Sequence, residues 1–378
     1  MRIGFDAKKA VKNLTGIGNY SRGLINGLCS YAPEHQYFLF ATEPVNDKAM
    51  KRIVNSPALH YSLYPSKKPV FLQEYRKCRN IAGVLKSERI DLFHGLTNEL
   101  PWGIQKTGIP SVVTIHDLIF LRFPETYDLF SRLILKWKTL YACRHADKII
   151  AISRQTKRDI IDFYHIPESK IEIVYQGCDR IFSRTVSIEE KQAIRKRYGI
   201  PDRYLLSVGT FEHRKNHRSI LQALPLMHDE DIHLVLVGKH TKFQSSIEER
   251  VRNLGLQGRV HILNNVPNAD LPALYQGCSV FLYMSYFEGF GIPVLEALTS
   301  GVPVVAATGS CLEEAGGDAS LYCNPFDYQK IAELTDSILE SPERTTYMAE
   351  QGKEHARDFS EKRIMQSLLN VYRQVLQS

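Results

Sequence analysis

A chain of 378 residues is long enough for about two to three domains with separate cores, and 44% hydrophobic with 24% charged residues excludes a disordered polymer. The formal charge of +7, from 48 basic and 41 acidic residues, suits anionic ligands or a lipid surface, while no basic run with interleaved aromatics points to a nucleic-acid module. Seven scattered cysteines (Cys29, Cys78, Cys143, Cys178, Cys278, Cys311 and Cys323) show no Cys-x-x-Cys spacing, and no apolar run approaches the roughly 20 residues of a membrane span, so a reduced, cytoplasmic protein is expected.

Met1 to Asp6 reads as a first strand, without the charged leader, apolar segment and cleavage site of an export signal. It opens a series of strand-forming runs, Ile3–Phe5, Tyr37–Phe40, Asp91–His94, Val112–Ile115, Ile149–Ile152 and Ile171–Val174, several separated by amphipathic stretches. The alternation predicts a Rossmann-like domain on a parallel sheet. After the first strand, Leu14 to Tyr20 leads into a helix with Leu24, Ile25 and Leu28 on one side. Its Gly16-Ile17-Gly18 element resembles part of a dinucleotide fingerprint, but the third glycine would fall at Ser21 and the loop spans about ten residues, which argues against a dehydrogenase. Gly16 and Gly18 read either as a loop that lets main chain approach a ligand or as a flexible turn. Thr114-Ile115-His116-Asp117 ends a strand at the same edge, where the His116 imidazole is placed to bond a sugar hydroxyl or move a proton. Most of the 13 histidines must be structural or solvated, and His94 occupies a similar strand end. The basic, amphipathic stretch Arg132 to Arg144 either rests on an anionic bilayer or covers the sheet.

The strand signal stops between Gln176 and Asp202, where Glu189 to Arg197 predicts an exposed helix, and a domain boundary is placed between residues 177 and 178. A second series follows: Tyr204–Gly209, His233–Gly238, Val260–Leu263, Ser279–Met284 and Val302–Ala306. The loop after the first of these carries Arg214-Lys215, with Asn216 a helix cap. Such a pair is often only a solvated loop, yet just past a parallel strand it is placed to neutralise a departing diphosphate, Arg214 as a two-pronged donor and Lys215 as a point charge. Near the fourth strand stands Tyr286-Phe287-Glu288-Gly289-Phe290-Gly291-Ile292-Pro293-Val294-Leu295-Glu296. Two glycines admit main chain to a ligand, the opening helix offers unpaired N–H groups to anionic oxygen, and Glu296, about one turn in, can accept both hydroxyls of a ribose. Glu288 lies in the loop, nearer the groups being exchanged.

This Glu-x7-Glu pattern resembles the retaining glycosyltransferases of family 4, the glycosyl transferases group 1, and the resemblance extends to Ser310–Glu314 ahead of Gly317-Asp318-Ala319. It implies an α/β, GT-B fold of two facing Rossmann-like domains, 1–177 for the acceptor and 178–360 for the donor, with 361–378 as a helix crossing back to the first. It also implies roles: Arg214 and Lys215 on the donor diphosphate, Glu288 with Gly289, Phe290 and Gly291 on sugar and phosphate, Glu296 on the ribose, Gly16 and Gly18 toward the phosphates, and His116 on the donor sugar. The expected reaction moves a hexose, with mannose the working choice, from a UDP-sugar or GDP-sugar to a glycan or lipid-linked hydroxyl. No metal or other cofactor is expected, Arg214, Lys215 and the helix start standing in for an ion. Two departures are visible, Glu313 where a proline is common and Thr210 where some relatives have arginine. The alternatives are an epimerase or phosphorylase on the same fold, or a noncatalytic sugar-nucleotide-binding protein.

Overall fold

The computed structural model describes residues 1–42, 44–64 and 83–377, so Cys78 lies outside the described residues. The chain divides into two compact units, 1–176 with 361–378, and 177–360, each built on one sheet.

In the first unit seven strands, β1 (Arg2–Asp6), β2 (Gln36–Thr42), β3 (Leu59–Tyr64), β4 (Leu92–Gly95), β5 (Ser111–Ile115), β6 (Lys148–Ala151) and β7 (Ile171–Ile173), stand in the order β3-β2-β1-β4-β5-β6-β7. Every pairing is parallel, with Phe5 opposite His94 and Asp6 opposite Gly95. Continuous apolar runs form these strands because helices cover both faces, and β5 is buried at all five positions. Chain order reverses between β1 and β4, the switch point at which open α/β sheets leave a crevice.

The expected glycine loop is shorter than its spacing implied. A five-residue helix, Lys8–Lys12, takes up the chain after β1, and the next helix, Gly16–Tyr31, begins at Gly16 itself. Both glycines therefore stand in a first helical turn, and Leu24, Ile25 and Leu28 bury the face anticipated for them. They are not equivalent: a Cβ on Gly18 would lie 2.1 Å from the Asn13 carbonyl oxygen, whereas one on Gly16 meets nothing within 4 Å. Gly18→Ala should cost about 1–3 kcal/mol by forcing backbone apart, and Gly16→Ala should be neutral or stabilising by about 0.5–1 kcal/mol. Denaturant unfolding of the two variants checks the contrast.

The terminal helix, Glu361–Gln377, belongs to this unit and buries Met365, Leu368, Leu369, Val371, Tyr372 and Val375 in its core. Gly27 lets it approach, since a Cβ there would lie 2.8 Å from the Met365 sulfur. The Tyr372 hydroxyl meets His94 Nδ1 at 2.7 Å, His94 Nε2 meets Thr114 Oγ1 at 2.8 Å, and Thr114 meets the Tyr20 hydroxyl at 3.2 Å. This chain satisfies His94 internally, and burial, aided by His116, pushes its imidazole down to about 3.

In the second unit β8 (Tyr204–Val208), β9 (His233–Gly238), β10 (Val260–Asn264), β11 (Val280–Tyr283), β12 (Val304–Ala307) and β13 (Leu321–Cys323) take the order β10-β9-β8-β11-β12-β13, again all parallel. Its switch point lies between β8 and β11, which sets the loops after those two strands side by side. The charged segment forms the helix Ile188–Tyr198, with only Ile194 buried and Gly199 ending it at φ 61°.

Candidate active site

The loop leaving β8 makes a tight turn over His213–Lys215 and ends at Asn216, left-handed at φ 52°. Asn216 holds the position before the helix His217–Ala223, but its side chain does not cap that helix. Its amide instead donates to the Pro325 carbonyl at 2.6 Å and its oxygen accepts from Ser219 at 3.1 Å, fixing the turn from outside. The Tyr286 N–H donates to the Arg214 carbonyl at 3.2 Å, so the loops after β8 and β11 are laced together.

Between them lies Glu288. Its Oε1 accepts from Lys215 Nζ at 2.5 Å, from Ser285 Oγ at 2.6 Å and from the Tyr283 hydroxyl at 3.1 Å, while Oε2 faces Arg214 Nη1 at 2.8 Å. Arg214 also pairs with Glu212 at 2.7 Å and donates to the Phe287 carbonyl. The three central side chains, Arg214, Lys215 and Glu288, are only 14%, 12% and 12% exposed. Burial by itself would raise the Glu288 carboxyl, but Lys215 and Arg214 outweigh it and hold it at about 2. Burial likewise works against the Arg214 charge, and Glu288 and Glu212 overcome it, so the guanidinium is held more firmly than usual. The result is a preorganised cluster of two cations and one buried carboxylate. Sequence reading placed Arg214, Lys215 and Glu288 in one site but missed Tyr283 and Ser285, which orient Glu288. Their signal was an alternation along β11 and just past it that puts both on one side.

Beyond the glycines the chain enters the helix Ile292–Thr299. Gly291 stands before it at φ 124°, and a Cβ there would lie 2.8 Å from a Leu312 methyl and 3.2 Å from Ala315, so conformation and packing both require glycine. Phe290 was expected to touch the donor, yet its ring is 2% exposed and packs on Phe359 with centroids 5.4 Å apart. The ring is a core residue, which leaves the Phe290 main chain to face a ligand. Glu296 is half-buried and accepts from the Tyr275 hydroxyl at 2.8 Å. Burial pushes its carboxyl up to about 8, with the Tyr275 bond opposing and Asp179 adding to the rise. Glu313, in place of a proline, accepts from the Thr308 hydroxyl and, at 3.2 Å, from the Gly309 N–H, closing the turn after β12.

In the first unit His116 is buried with both ring nitrogens engaged: Nε2 donates to the Leu96 carbonyl at 2.9 Å and Nδ1 accepts from Gln176 at 3.0 Å. Burial, partly opposed by the Leu96 bond, pushes it down to about 4, so the ring is neutral. Tyr20 packs edge-on against it, centroids 4.6 Å apart.

Among the described residues no group of three or more His, Cys, Asp or Glu side chains is arranged to hold a metal ion. The one Asp-x-Asp triplet, Asp229-Glu230-Asp231, passed over in reading the sequence, precedes β9 at the sheet edge opposite the cluster, where Asp229 pairs with Arg203. The six described cysteines are free thiols, and among the described residues no helix is long and apolar enough to cross a membrane.

Two doubly wound parallel sheets, one with a charged cluster at its switch point, define an α/β protein of the ligand-binding type. The Glycosyltransferase Family 4 model matches residues 14–181 and the Glycosyl transferases group 1 model residues 190–355; the chain belongs to these group 1 glycosyltransferases. O-antigen chain mannosyltransferase B of Escherichia coli is 29% identical over 387 residues, covering 99% of this chain and 100% of that one. The D-inositol 3-phosphate glycosyltransferase of Salinispora tropica is 28% identical over 327 residues, 78% of this chain and 67% of that one. A glycosyltransferase from Rickettsia africae superposes with a TM-score of 0.78 at 18% identity, over 99% of this chain and 98% of that one. Anabaena HepE, solved with UDP and glucose, gives 0.78 at 20% identity over 99% and 100%. These structural likenesses show the GT-B fold.

Proposed function

We propose that this glycosyltransferase is a retaining hexosyltransferase that uses a nucleoside diphosphate sugar, with GDP-mannose the working donor, and a glycan or lipid-linked hydroxyl as acceptor. The observation that carries the reading is the buried Arg214–Lys215–Glu288 cluster at the switch point of the second sheet. The unit 177–360 would hold the donor and the unit 1–176 with 361–378 the acceptor. The mannosyltransferase relative in O-antigen synthesis supports both the sugar and the acceptor class.

Each side chain then has a task. An arriving diphosphate draws Arg214 and Lys215 partly from Glu288, and both cations meet the charge that grows as the bond from anomeric carbon to phosphate oxygen breaks. The N–H groups opening the helix Ile292–Thr299, reached through Gly289 and Gly291, add donors to the same oxygens. The acceptor hydroxyl attacks the anomeric carbon from the face the phosphate leaves, and its proton passes to that phosphate oxygen. Glu288, bound by four donor side chains and fully ionised, positions the cations and is not a covalent nucleophile. His116 would contact the donor sugar through Nδ1 once Gln176 releases it. With two fixed cations on the diphosphate, the site would work without a divalent ion.

Glu296 would accept the two ribose hydroxyls, which requires its ionised form. Because burial holds the carboxyl near 8, nucleotide affinity should rise as pH climbs toward about 8, by up to about tenfold per pH unit below it, then level. Glu296→Gln should flatten that slope and weaken binding at every pH. Calorimetric titration of GDP and UDP between pH 6 and 9 reads both, and identical slopes in the two proteins would remove Glu296 from the ribose. Product analysis with anomeric assignment and labelled donor tests the reaction: transfer with retained configuration supports it, while free epimerised nucleotide sugar or sugar phosphate would not.

A further inference from the structure

A cavity of about 430 Å³ opens in the second unit between the helices His217–Ala223 and Gln244–Asn253 and the start of the helix Tyr328–Leu339. His213 and Asn216, at the two ends of the turn that carries Arg214 and Lys215, border it, but neither those two cations nor Glu288 nor Glu296 lines it. It is therefore a separate space, of the size that holds a small molecule.

The side chains around it select the ligand. Arg218 and Arg250 reach it from the first two helices, no Asp or Glu lines it, and among the described residues neither guanidinium is taken up by a carboxylate or another acceptor. Two unoccupied guanidinium forks suit the oxygens of a phosphate. Phe326 and Tyr328, 60% and 40% exposed, bring rings to the same space, and the buried Leu221 and Ile247 back it with apolar surface; such a wall takes the apolar face of a second ring. His217, 1% exposed, also lines the cavity, and its Nδ1 is buried with no hydrogen-bond partner among the described residues. Burial, with Lys215 adding, pushes this imidazole down to about 3, so the ring is neutral. Buried ring nitrogens are paired as a rule, and an unpaired one in a cavity wall points to a group that arrives from outside the fold.

We propose that this cavity is a second ligand site, built for the phosphate monoester of a small ring compound such as a sugar phosphate, with the phosphate between Arg218 and Arg250 and the ring against Phe326 and Tyr328. The Asn216 amide donates to the Pro325 carbonyl at 2.6 Å, directly before Phe326, so two walls of the cavity are tied together and a bound ligand braces the turn of Arg214 and Lys215. The inference does not depend on the donor reading, and its test uses neither nucleotide nor acceptor.

Glucose 6-phosphate serves as the probe. Calorimetry should show a single saturable site, with inorganic phosphate binding more weakly and glucose not at all. Arg218→Gln and Arg250→Gln should each weaken the site about tenfold, and Phe326→Ser about fivefold. Arg218 and Phe326 are exposed, so thermal melts of their variants should match wild type. Bound probe should slow amide hydrogen exchange in peptides spanning residues 213–222 and 325–330. The Arg214→Ala, Lys215→Ala double variant should keep the site. No saturable binding, phosphate binding as tightly as glucose 6-phosphate, or affinity lost in the double variant but unchanged by Arg218→Gln and Arg250→Gln each overturns the proposal, the last by assigning the phosphate to the cluster around Glu288.

Discussion

Lys215→Ala is expected to lower turnover at saturating donor by about 10²–10³-fold, the range found when one preorganised donor to a developing oxyanion is removed. The ammonium is balanced by Glu288 at 2.5 Å and held by the Tyr283 hydroxyl at 2.8 Å. Its net worth therefore appears when the diphosphate acquires charge during bond cleavage, and kcat should fall more than ground-state affinity. Folding should survive, because Glu288 keeps Arg214, Ser285 and Tyr283 as partners. Steady-state rates with donor varied at saturating acceptor measure the effect. A kcat near wild type would remove Lys215 from the chemistry.

Glu288→Gln should be strongly destabilising. It leaves Arg214 and Lys215 side by side, 14% and 12% exposed, without the carboxylate that neutralises them, and breaking a buried ion pair costs about 3–5 kcal/mol. A second route gives the same order: a carboxyl held at about 2 instead of 4.5 contributes roughly 3 kcal/mol. Because the folded value is depressed, that contribution is complete above about 4.5 and is lost as pH falls through about 2. Wild type should therefore lose stability along that acid limb, while the Gln variant should be weaker at neutral pH and flatter below 4.5. A nucleoside diphosphate restores the missing negative charge, so its stabilisation of the variant in a thermal melt should exceed that of wild type. Equal stabilisation of both would mean that the anion does not reach these cations.

Legibility followed the range of the interactions. Long apolar runs such as Val112–Ile115 and His233–Gly238 were readable as strands because burial on both faces leaves little else. The six residues of β3, which mix His60 and Ser62 with apolar neighbours, and the three of β13 were not, since pairing with a neighbouring strand defines them. Within the site the Glu-x7-Glu spacing and the glycines could be read directly. What joins Lys215 to Glu288 could not: they are 73 positions apart, and only the adjacency of β8 and β11 brings them to hydrogen-bonding distance. The burial of the Phe290 ring could not be read either, because Phe359, which covers it, stands far along the chain. Asn216 was misread because a cap by position need not be a cap by hydrogen bond. Gly16 and Gly18 looked like loop residues because glycine disfavours helices, whereas Asn13 crowds Gly18 into accepting no side chain.

The central claim is that Arg214 and Lys215 grip the donor diphosphate without a divalent ion. Calorimetric titration of GDP and UDP in EDTA and again in excess magnesium, on wild type and on the Arg214→Ala, Lys215→Ala double variant, tests it directly. The account predicts equal wild-type affinity in the two buffers and a loss of about 2–4 kcal/mol of binding in the double variant. Binding abolished by EDTA, or unchanged by removing both cations, would contradict it.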